Sequence, residues 1–150
     1  MTSTAVEPVR NSVHIGSSQA HAFETFTGRL AEWWPLATHS IGLEDALDAR
    51  LERWEGGRLY ERMRDGTEAV WAQVTTWDPP QRLVLRWKVN PNAVAATEID
   101  VRFTADGDGT RVDLEHRGWE LLGTGALDAR GSYASDWPMV LARFGEDATR

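Results

Sequence analysis

Two ionisable residues lie in phase with apolar neighbours on predicted strands, which makes them the best candidates in this chain for proton transfer. Glu61 follows Leu59 at strand spacing, and His116 follows Leu114 in the same way. Residues two apart on a strand face the same side, so both are predicted to point inward, although Tyr60 would point inward in the opposite phase. An inward carboxylate or imidazole can act as a general acid or base. The structural alternatives are a salt bridge from Glu61 to an Arg of a neighbouring strand and a hydrogen-bonded, buried His116.

Three further polar residues accompany aromatic ones. Gln73 follows Trp71 on a predicted strand, Arg130 shares a helical row with Trp137, and His39 lies in the loop sequence THSIG. Gln73 could orient a ligand, and Arg130 could pair with an anionic ligand group, unless its head reaches solvent at the helix edge. His39 could belong to a loop that gates a cavity. The alternative for that loop is a hydrophobic plug capped by His and Ser.

The cysteine count and the motif search exclude several kinds of chemistry. The chain has no Cys, which excludes disulfides, thiolate metal sites and Cys nucleophiles. The four His residues lack metal-ligand spacing, and the DGDG sequence at 106–109 lacks the distal Glu of a calcium loop. No nucleophile elbow, phosphate-binding loop or dinucleotide fingerprint occurs. We therefore predict that the protein uses no metal and no cofactor.

Length and charge limit the partners and the organisation. The 150 residues predict one domain over 1–150, with a flexible tail at 1–6. The net charge of −7 argues against nonspecific nucleic-acid binding, which requires clustered Lys and Arg. The apolar runs are too short to span a membrane, and the amino terminus lacks a signal-peptide pattern. We predict a cytoplasmic protein that is a monomer or a homodimer.

The periodicity of apolar residues predicts an α+β fold. A strand over Arg10–Ile15 precedes two short helices divided at Gly28, and alternating strands fill Leu47–His116. The conflicting phases within Thr67–Trp77 predict a β-bulge. Helical spacing returns in the last third, with Pro138 predicted to kink the helix. The pattern favours a curved antiparallel sheet of about six to seven strands around a long C-terminal helix, with a lipocalin-like barrel as the alternative.

Eight of the fourteen aromatic residues are Trp, which is the unusual feature of the composition. A sheet curved around one helix tends to leave a hollow, and ligand pockets are mostly apolar with a few polar groups. We predict that His116 orients a small apolar or aromatic ligand. The ligand is predicted to contact the aromatic residues on the inward faces and in the loop: Trp34, Trp71, Trp87, Phe103, Tyr133 and Trp137.

The order of five sequence runs resembles the helix-grip superfamily (START-like or birch-pollen-allergen-like, also called SRPBCC), in its branch of homologues of the heat-shock-protein-90 ATPase activator. The runs are WWPLATHSIG, WEGGRLYER, VWAQVTTWDPPQRLVLRW, DGDGTRVDLEHRGWE and GSYASDWPMVLARF. The resemblance implies the helix-grip fold with two short helices after the first strand. Members of the superfamily include lipid carriers, polyketide cyclases, hydrolytic proteins and chaperone partners, so the fold does not fix the function.

Three functions follow, in order of preference. The first is a small-molecule binding protein with a cavity between the sheet and the C-terminal helix. The second is a cavity enzyme of the cyclase or hydrolase type, with Glu61 or His116 transferring the proton. The third is a chaperone-associated protein, which is not favoured because the chain carries no recognisable partner-binding extension.

Overall fold

The computed structural model describes residues 6–149, so residues 1–5 of the predicted tail lie outside the described part. Within residues 6–149, seven strands and three α-helices occur in the order β1, α1, α2, β2 to β7, α3. Their bounds are β1 Val9–Ile15, α1 Gln19–Gly28, α2 Leu30–Trp33, β2 Ala46–Leu51, β3 Arg58–Met63, β4 Glu68–Asp78, β5 Arg82–Trp87, β6 Thr97–Asp106, β7 Gly109–Arg117 and α3 Ala126–Ala148. Two 3-10 segments precede β2 and α3, at Leu43–Asp45 and Trp119–Gly125.

The two short helices begin and end where their sequence dictates. The Ser18 side chain caps α1 by accepting a hydrogen bond from the His21 backbone N–H. After α2, Trp34 is extended, with ψ 133°, as expected for a residue that precedes a proline. This extended residue starts the segment 34–42, which we call the loop and which covers one end of the molecule.

The strands form one open antiparallel sheet in the order β1-β7-β6-β5-β4-β3-β2. It curls around α3, which confirms the predicted helix-grip fold. The alternative of a barrel is wrong, because β1 and β2 are the two edges of an open sheet. The helix α3 runs as one element through Pro138, which lies on its exposed side. Among residues 6–149, no helix is long and apolar enough to cross a membrane.

The predicted bulge in β4 is confirmed and occurs twice. Leu59 of β3 pairs with Ala72 while Tyr60 pairs with Val70, so Trp71 has no partner in that ladder. A second shift separates the β4–β5 pairs near Thr75. An extra residue in one strand changes the phase of the side chains beyond it. Trp71 and Val74 are therefore both buried, although they are an odd number of residues apart.

One half of the interior is a closed aromatic core. Phe26 of α1 lies 5.1 Å from Phe144 of α3 and 5.7 Å from Phe103 of β6, measured between ring centroids. Phe103 also lies 5.1 Å from Phe23. This corrects the prediction that Phe103 contacts a ligand, because α1 fills the space in front of its ring. The free space lies at the other end of the sheet.

An ion-pair network lies on the outer face of the sheet, opposite the core. Asp100 of β6 accepts hydrogen bonds from Arg82 on β5, at 2.8 and 3.0 Å, and from Arg117 on β7, at 3.1 Å. These guanidinium groups leave only 3% of its side chain exposed. Burial alone would raise the pKa of the Asp100 carboxyl, but the hydrogen bonds from Arg82 and Arg117 outweigh it and hold the pKa below its usual range.

Candidate functional site

A cavity of about 370 Å³ lies between the strands β4 and β5, the loop, and the first half of α3. Its walls are mainly aromatic and aliphatic, and its polar groups come from the loop, from the chain after β5 and from α3. The lining residues are Trp34, His39, Ser40, Ile41, Trp71, Trp87, Val89, Asn90, Ser132, Tyr133 and Asp136. The volume falls within the range of small-molecule sites, roughly 300–1,000 Å³.

Four tryptophans form a contiguous cluster behind the cavity. The ring centroid of Trp34 lies 5.3 Å from Trp71, 6.2 Å from Trp87 and 5.9 Å from Trp137. Tilted and edge-on arrangements at these distances are favourable for aromatic pairs. The cluster fixes the rings, so that those of Trp34, Trp71 and Trp87 meet the cavity with rigid apolar surface.

Glu61 holds the loop against the sheet. Its carboxylate accepts hydrogen bonds from the backbone N–H groups of Ile41, at 2.6 Å, and Gly42, at 2.8 Å, and from Trp71 Nε1 at 2.6 Å. Its inward direction is confirmed, whereas the predicted salt bridge to a neighbouring Arg is wrong. Glu61 does not line the cavity, and three donors occupy its oxygens. The geometry therefore supports a positioning role for this carboxylate rather than proton transfer.

The loop has further hydrogen bonds of its own and one ion-pair contact with α3. Trp34 Nε1 donates to the His39 carbonyl at 2.7 Å, and the Ser40 hydroxyl donates to the Leu36 carbonyl at 2.6 Å. The His39 imidazole Nε2 lies 3.4 Å from a carboxylate oxygen of Asp136 on α3. His39 therefore lies at the edge of the cavity, where the loop meets the helix.

Tyr133 contributes a phenol hydroxyl to the cavity. Trp87 Nε1 donates to its oxygen at 2.8 Å, which joins α3 to β5. Its ring packs against the ring of His116, with centroids 4.8 Å apart, and against that of Trp119, at 5.4 Å. Burial raises the pKa of the Tyr133 phenol, and the hydrogen bond from Trp87 only partly offsets this. The phenol stays protonated at neutral pH.

His116 is buried behind Tyr133 and does not line the cavity, which corrects its prediction as a ligand contact. Trp137 Nε1 donates to His116 Nδ1 at 3.1 Å. Because an indole N–H can only donate, Nδ1 is unprotonated and Nε2 carries the hydrogen that faces the Thr97 hydroxyl at 2.7 Å. Burial lowers the pKa of His116 to about 3, so the ring is neutral at physiological pH. This geometry agrees with the alternative prediction, a buried His116 whose ring is hydrogen-bonded.

Three other predicted ligand contacts lie elsewhere. Gln73 is exposed on the outer side of β4, where its amide donates to the Gly56 carbonyl at 3.4 Å. Arg130 donates to the carbonyls of Glu7, at 2.6 Å, and Pro8, at 3.2 Å, and thus ties the start of β1 to α3. Trp137 is buried between His116 and Trp34, behind the residues that form the wall. Gln73 faces outward because the bulge in β4 changes the phase of its side chain. Arg130 does not reach the cavity because the amino-terminal segment binds its guanidinium group.

Several lining residues were not predicted from the sequence. On α3 these are Ser132 and Asp136, which lie one row away from the apolar stripe. The available signal was the spacing of Asp136 three residues after Tyr133, which places both on one helix face. Ser40, Ile41, Val89 and Asn90 belong to irregular segments, for which periodicity carries no information.

The donor set of the cavity is poor in metal ligands. Its ionisable groups are His39, Asp136 and the Tyr133 phenol. Within residues 6–149, no three His, Asp or Glu side chains are grouped so that they could hold a metal ion. The site can bind aromatic surface, donate hydrogen bonds from hydroxyl and amide groups, and accept one at Asp136.

Similar solved structures cover almost the whole chain. The anthrahydroquino-gamma-pyrone synthase Txn09, complexed with SUM, is 36% identical, with a TM-score of 0.64 over 95% of this chain and 97% of that chain. The self-sacrificing resistance protein CalC from Micromonospora echinospora is 31% identical, with a TM-score of 0.68 over 94% and 93%. The Aha1 dimer from Colwellia psychrerythraea, at 17% identity and a TM-score of 0.69 over 96% and 97%, shares the fold.

A comparison with curated proteins gave no match. The family model described as "Activator of Hsp90 ATPase homolog 1-like protein" matches residues 18–145. This match runs from the cap of α1 to the last turns of α3, so it includes every element that lines the cavity. The resemblance seen in the sequence runs is thereby confirmed, and the chain belongs to the Activator of Hsp90 ATPase homolog 1-like family.

Proposed function

We propose that this protein binds a small, apolar aromatic molecule in the cavity between β4, β5, the loop and α3. The observation that carries the proposal is the wall formed by Trp34, Trp71 and Trp87 around a space of about 370 Å³. Pockets of this kind bury most of a ligand against apolar surface and orient it with a few polar groups. In this cavity the polar groups belong to the loop, to the chain after β5 and to α3.

The wall is rigid, which favours a flat ligand over a flexible chain. The Trp rings are held by one another and by hydrogen bonds from Trp71 to Glu61 and from Trp87 to Tyr133. A preformed site avoids the entropic penalty of ordering side chains on binding. A planar ring system also loses less conformational freedom than an acyl chain of similar size.

One of the more similar relatives supports the same ligand class. Txn09, at 36% identity over nearly the full length, is a synthase of an anthrahydroquino-gamma-pyrone, whose name denotes fused aromatic and pyrone rings. We carry over to this chain only the class of molecule, a planar oxygen-containing polycycle. The protein is proposed to act without a metal or cofactor. Its cytoplasmic location and its monomeric or homodimeric state stay predictions.

The two other functions considered above receive less support. Neither Glu61 nor His116 faces the cavity, so proton transfer by these residues has no route to a bound substrate. A chaperone-associated role draws on the family description and on the shared fold with the Aha1 dimer at 17% identity. Likeness of fold alone does not transfer a function.

Equilibrium dialysis with xanthone, a planar three-ring γ-pyrone, tests the proposal. Ser132 is exposed on α3 and lines the cavity, so Ser132→Phe places a ring in the opening with little effect on the core. Overpacking of a site typically disfavours the packed state by about 1–3 kcal/mol. We therefore expect Ser132→Phe to weaken xanthone binding about 5- to 160-fold.

The matched control is Ser135→Phe, one turn further along α3. Ser135 is exposed on the same helix but does not line the cavity. It should bind xanthone as the unmodified protein does. The proposal is refuted if xanthone fails to bind the unmodified protein, or if both Phe variants bind it with unchanged affinity.

A further inference from the structure

The Tyr133 hydroxyl has a hydrogen-bond donor that its protein neighbours leave unused. Trp87 Nε1 lies 2.8 Å from the Tyr133 oxygen. An indole nitrogen has no free lone pair, so it must be the donor and the phenol oxygen must be the acceptor. The phenol's own hydrogen takes no part in this bond.

Across residues 6–149, the bond from Trp87 is the one hydrogen bond at this oxygen, so the hydroxyl hydrogen has no protein acceptor there. Tyr133 lines the cavity, and the packing of its ring against His116 and Trp119 fixes the direction of its C–O bond. A hydroxyl hydrogen that loses its contact with water without gaining an acceptor is unfavourable. A molecule that fills the cavity therefore has to bring an acceptor to this point.

The charge of the lining identifies the kind of acceptor. Asp136 is the one carboxylate among the lining residues, and the lining contains no Lys or Arg. Its carboxylate opposes a carboxylate or phosphate in the same space. The phenol is protonated in this environment and acts as a donor. The acceptor is therefore a neutral oxygen such as that of a ketone.

We infer that the ligand is a planar aromatic ketone of the pyrone or quinone type, whose carbonyl oxygen accepts a hydrogen bond from the Tyr133 hydroxyl, while Trp87 fixes that hydroxyl from behind. The inference rests on the proposed function, because it names the chemical group that the aromatic ligand presents. In this arrangement Tyr133 is a specificity-determining residue: it selects a carbonyl over a methylene at one position of the ring system.

The experiment compares xanthone with xanthene, in which a methylene group replaces the carbonyl and the ring oxygen is retained. Dissociation constants of both compounds are measured by equilibrium dialysis for the unmodified protein, Tyr133→Phe and Tyr60→Phe. Tyr60 is the only other tyrosine of the chain; it is buried on β3 beneath the Arg58 guanidinium and does not line the cavity. Both substitutions keep the ring and remove one hydroxyl.

We expect the unmodified protein and Tyr60→Phe to bind xanthone about 2- to 12-fold more tightly than xanthene, the range that one hydrogen bond supplies. Tyr133→Phe should remove this preference and leave xanthene binding intact. If Tyr133→Phe keeps the preference, or if the unmodified protein has none while binding both compounds, the inference is wrong and the proposed function stands. If neither compound binds, the proposed function is wrong and the inference falls with it.

Discussion

Mild acid should destabilise this protein through His116, and the size of the effect follows from the burial of its ring. The imidazole is 0% exposed, and its pKa in the folded protein is about 3. In the unfolded chain the ordinary pKa of about 6.5 applies. Between these values the unfolded state binds a proton that the folded state does not. The contribution of the neutral His116 to the free energy of unfolding is therefore full above about pH 6.5, and it is lost as the pH drops through this window.

The magnitude comes from the difference in proton binding. Each pH unit inside the window removes about 1.4 kcal/mol from the free energy of unfolding. Between pH 7 and pH 5, His116 should therefore remove about 2 kcal/mol. That loss is a large fraction of the stability of an ordinary domain, which is about 5–15 kcal/mol.

Urea unfolding of the unmodified protein and of His116→Gln at pH 7 and pH 5 measures this contribution. A glutamine amide can donate to Thr97 and accept from Trp137, as the neutral imidazole does, but it does not titrate. The unmodified protein should lose about 2 kcal/mol more than His116→Gln over this range. His21→Gln, at an exposed position of α1, is the control and should follow the unmodified protein. Identical pH dependence in the unmodified protein and His116→Gln would refute the reasoning.

Two further substitutions test the polar contacts that support the fold and the loop. Glu61→Gln leaves at least one of the three donors to this side chain without an acceptor, so it should lower the free energy of unfolding by about 1–3 kcal/mol. Glu68→Gln, at an exposed ion pair, should change it by at most about 1 kcal/mol. Equal effects in urea unfolding would contradict the anchoring role. Asp100→Asn removes the charge bound by Arg82 and Arg117 and should destabilise by about 2–3 kcal/mol. Asp113→Asn, at an exposed ion pair with Arg111, is its control, and equally small losses in both variants would contradict the network's contribution.

The fold was largely predictable because its strands alternate cleanly and its last helix is long. In β6 and β7 the apolar residues Val101 and Leu114 pair directly in the register, as their shared inward phase predicts. Even the bulge of β4 left a signal, since the phases of Trp71 and Val74 conflict without it. Such patterns can be recognised because a buried face requires an apolar side chain at every second residue of a strand.

The site was only partly predictable, because much of it depends on backbone N–H and carbonyl groups, which are the same at almost every residue. The partners of Glu61 are backbone N–H groups of the loop, which no side-chain pattern reveals. The sequence predicts Gln73 as a ligand contact because it follows Trp71 at strand spacing. The bulge at Trp71 changes the phase of the following side chains, and Gln73 therefore faces outward. The sequence predicts Arg130 as a ligand contact because no side-chain pattern reveals its true acceptors. These are two backbone carbonyls far away in the sequence. The lining residues Trp34, Trp71, Trp87 and Tyr133 were identified because large aromatic side chains dominate any apolar hollow.

Nuclear magnetic resonance of the indole N–H groups during a titration with xanthone tests the central claim most directly. The eight tryptophans give one signal each, and they divide by position into cavity-lining and distant groups. We predict shifts of the Trp34, Trp71 and Trp87 signals, with little change for Trp54, which is 57% exposed on the surface. Shifts confined to Trp54, or no shifts at all, would contradict the binding of an aromatic ligand in this cavity.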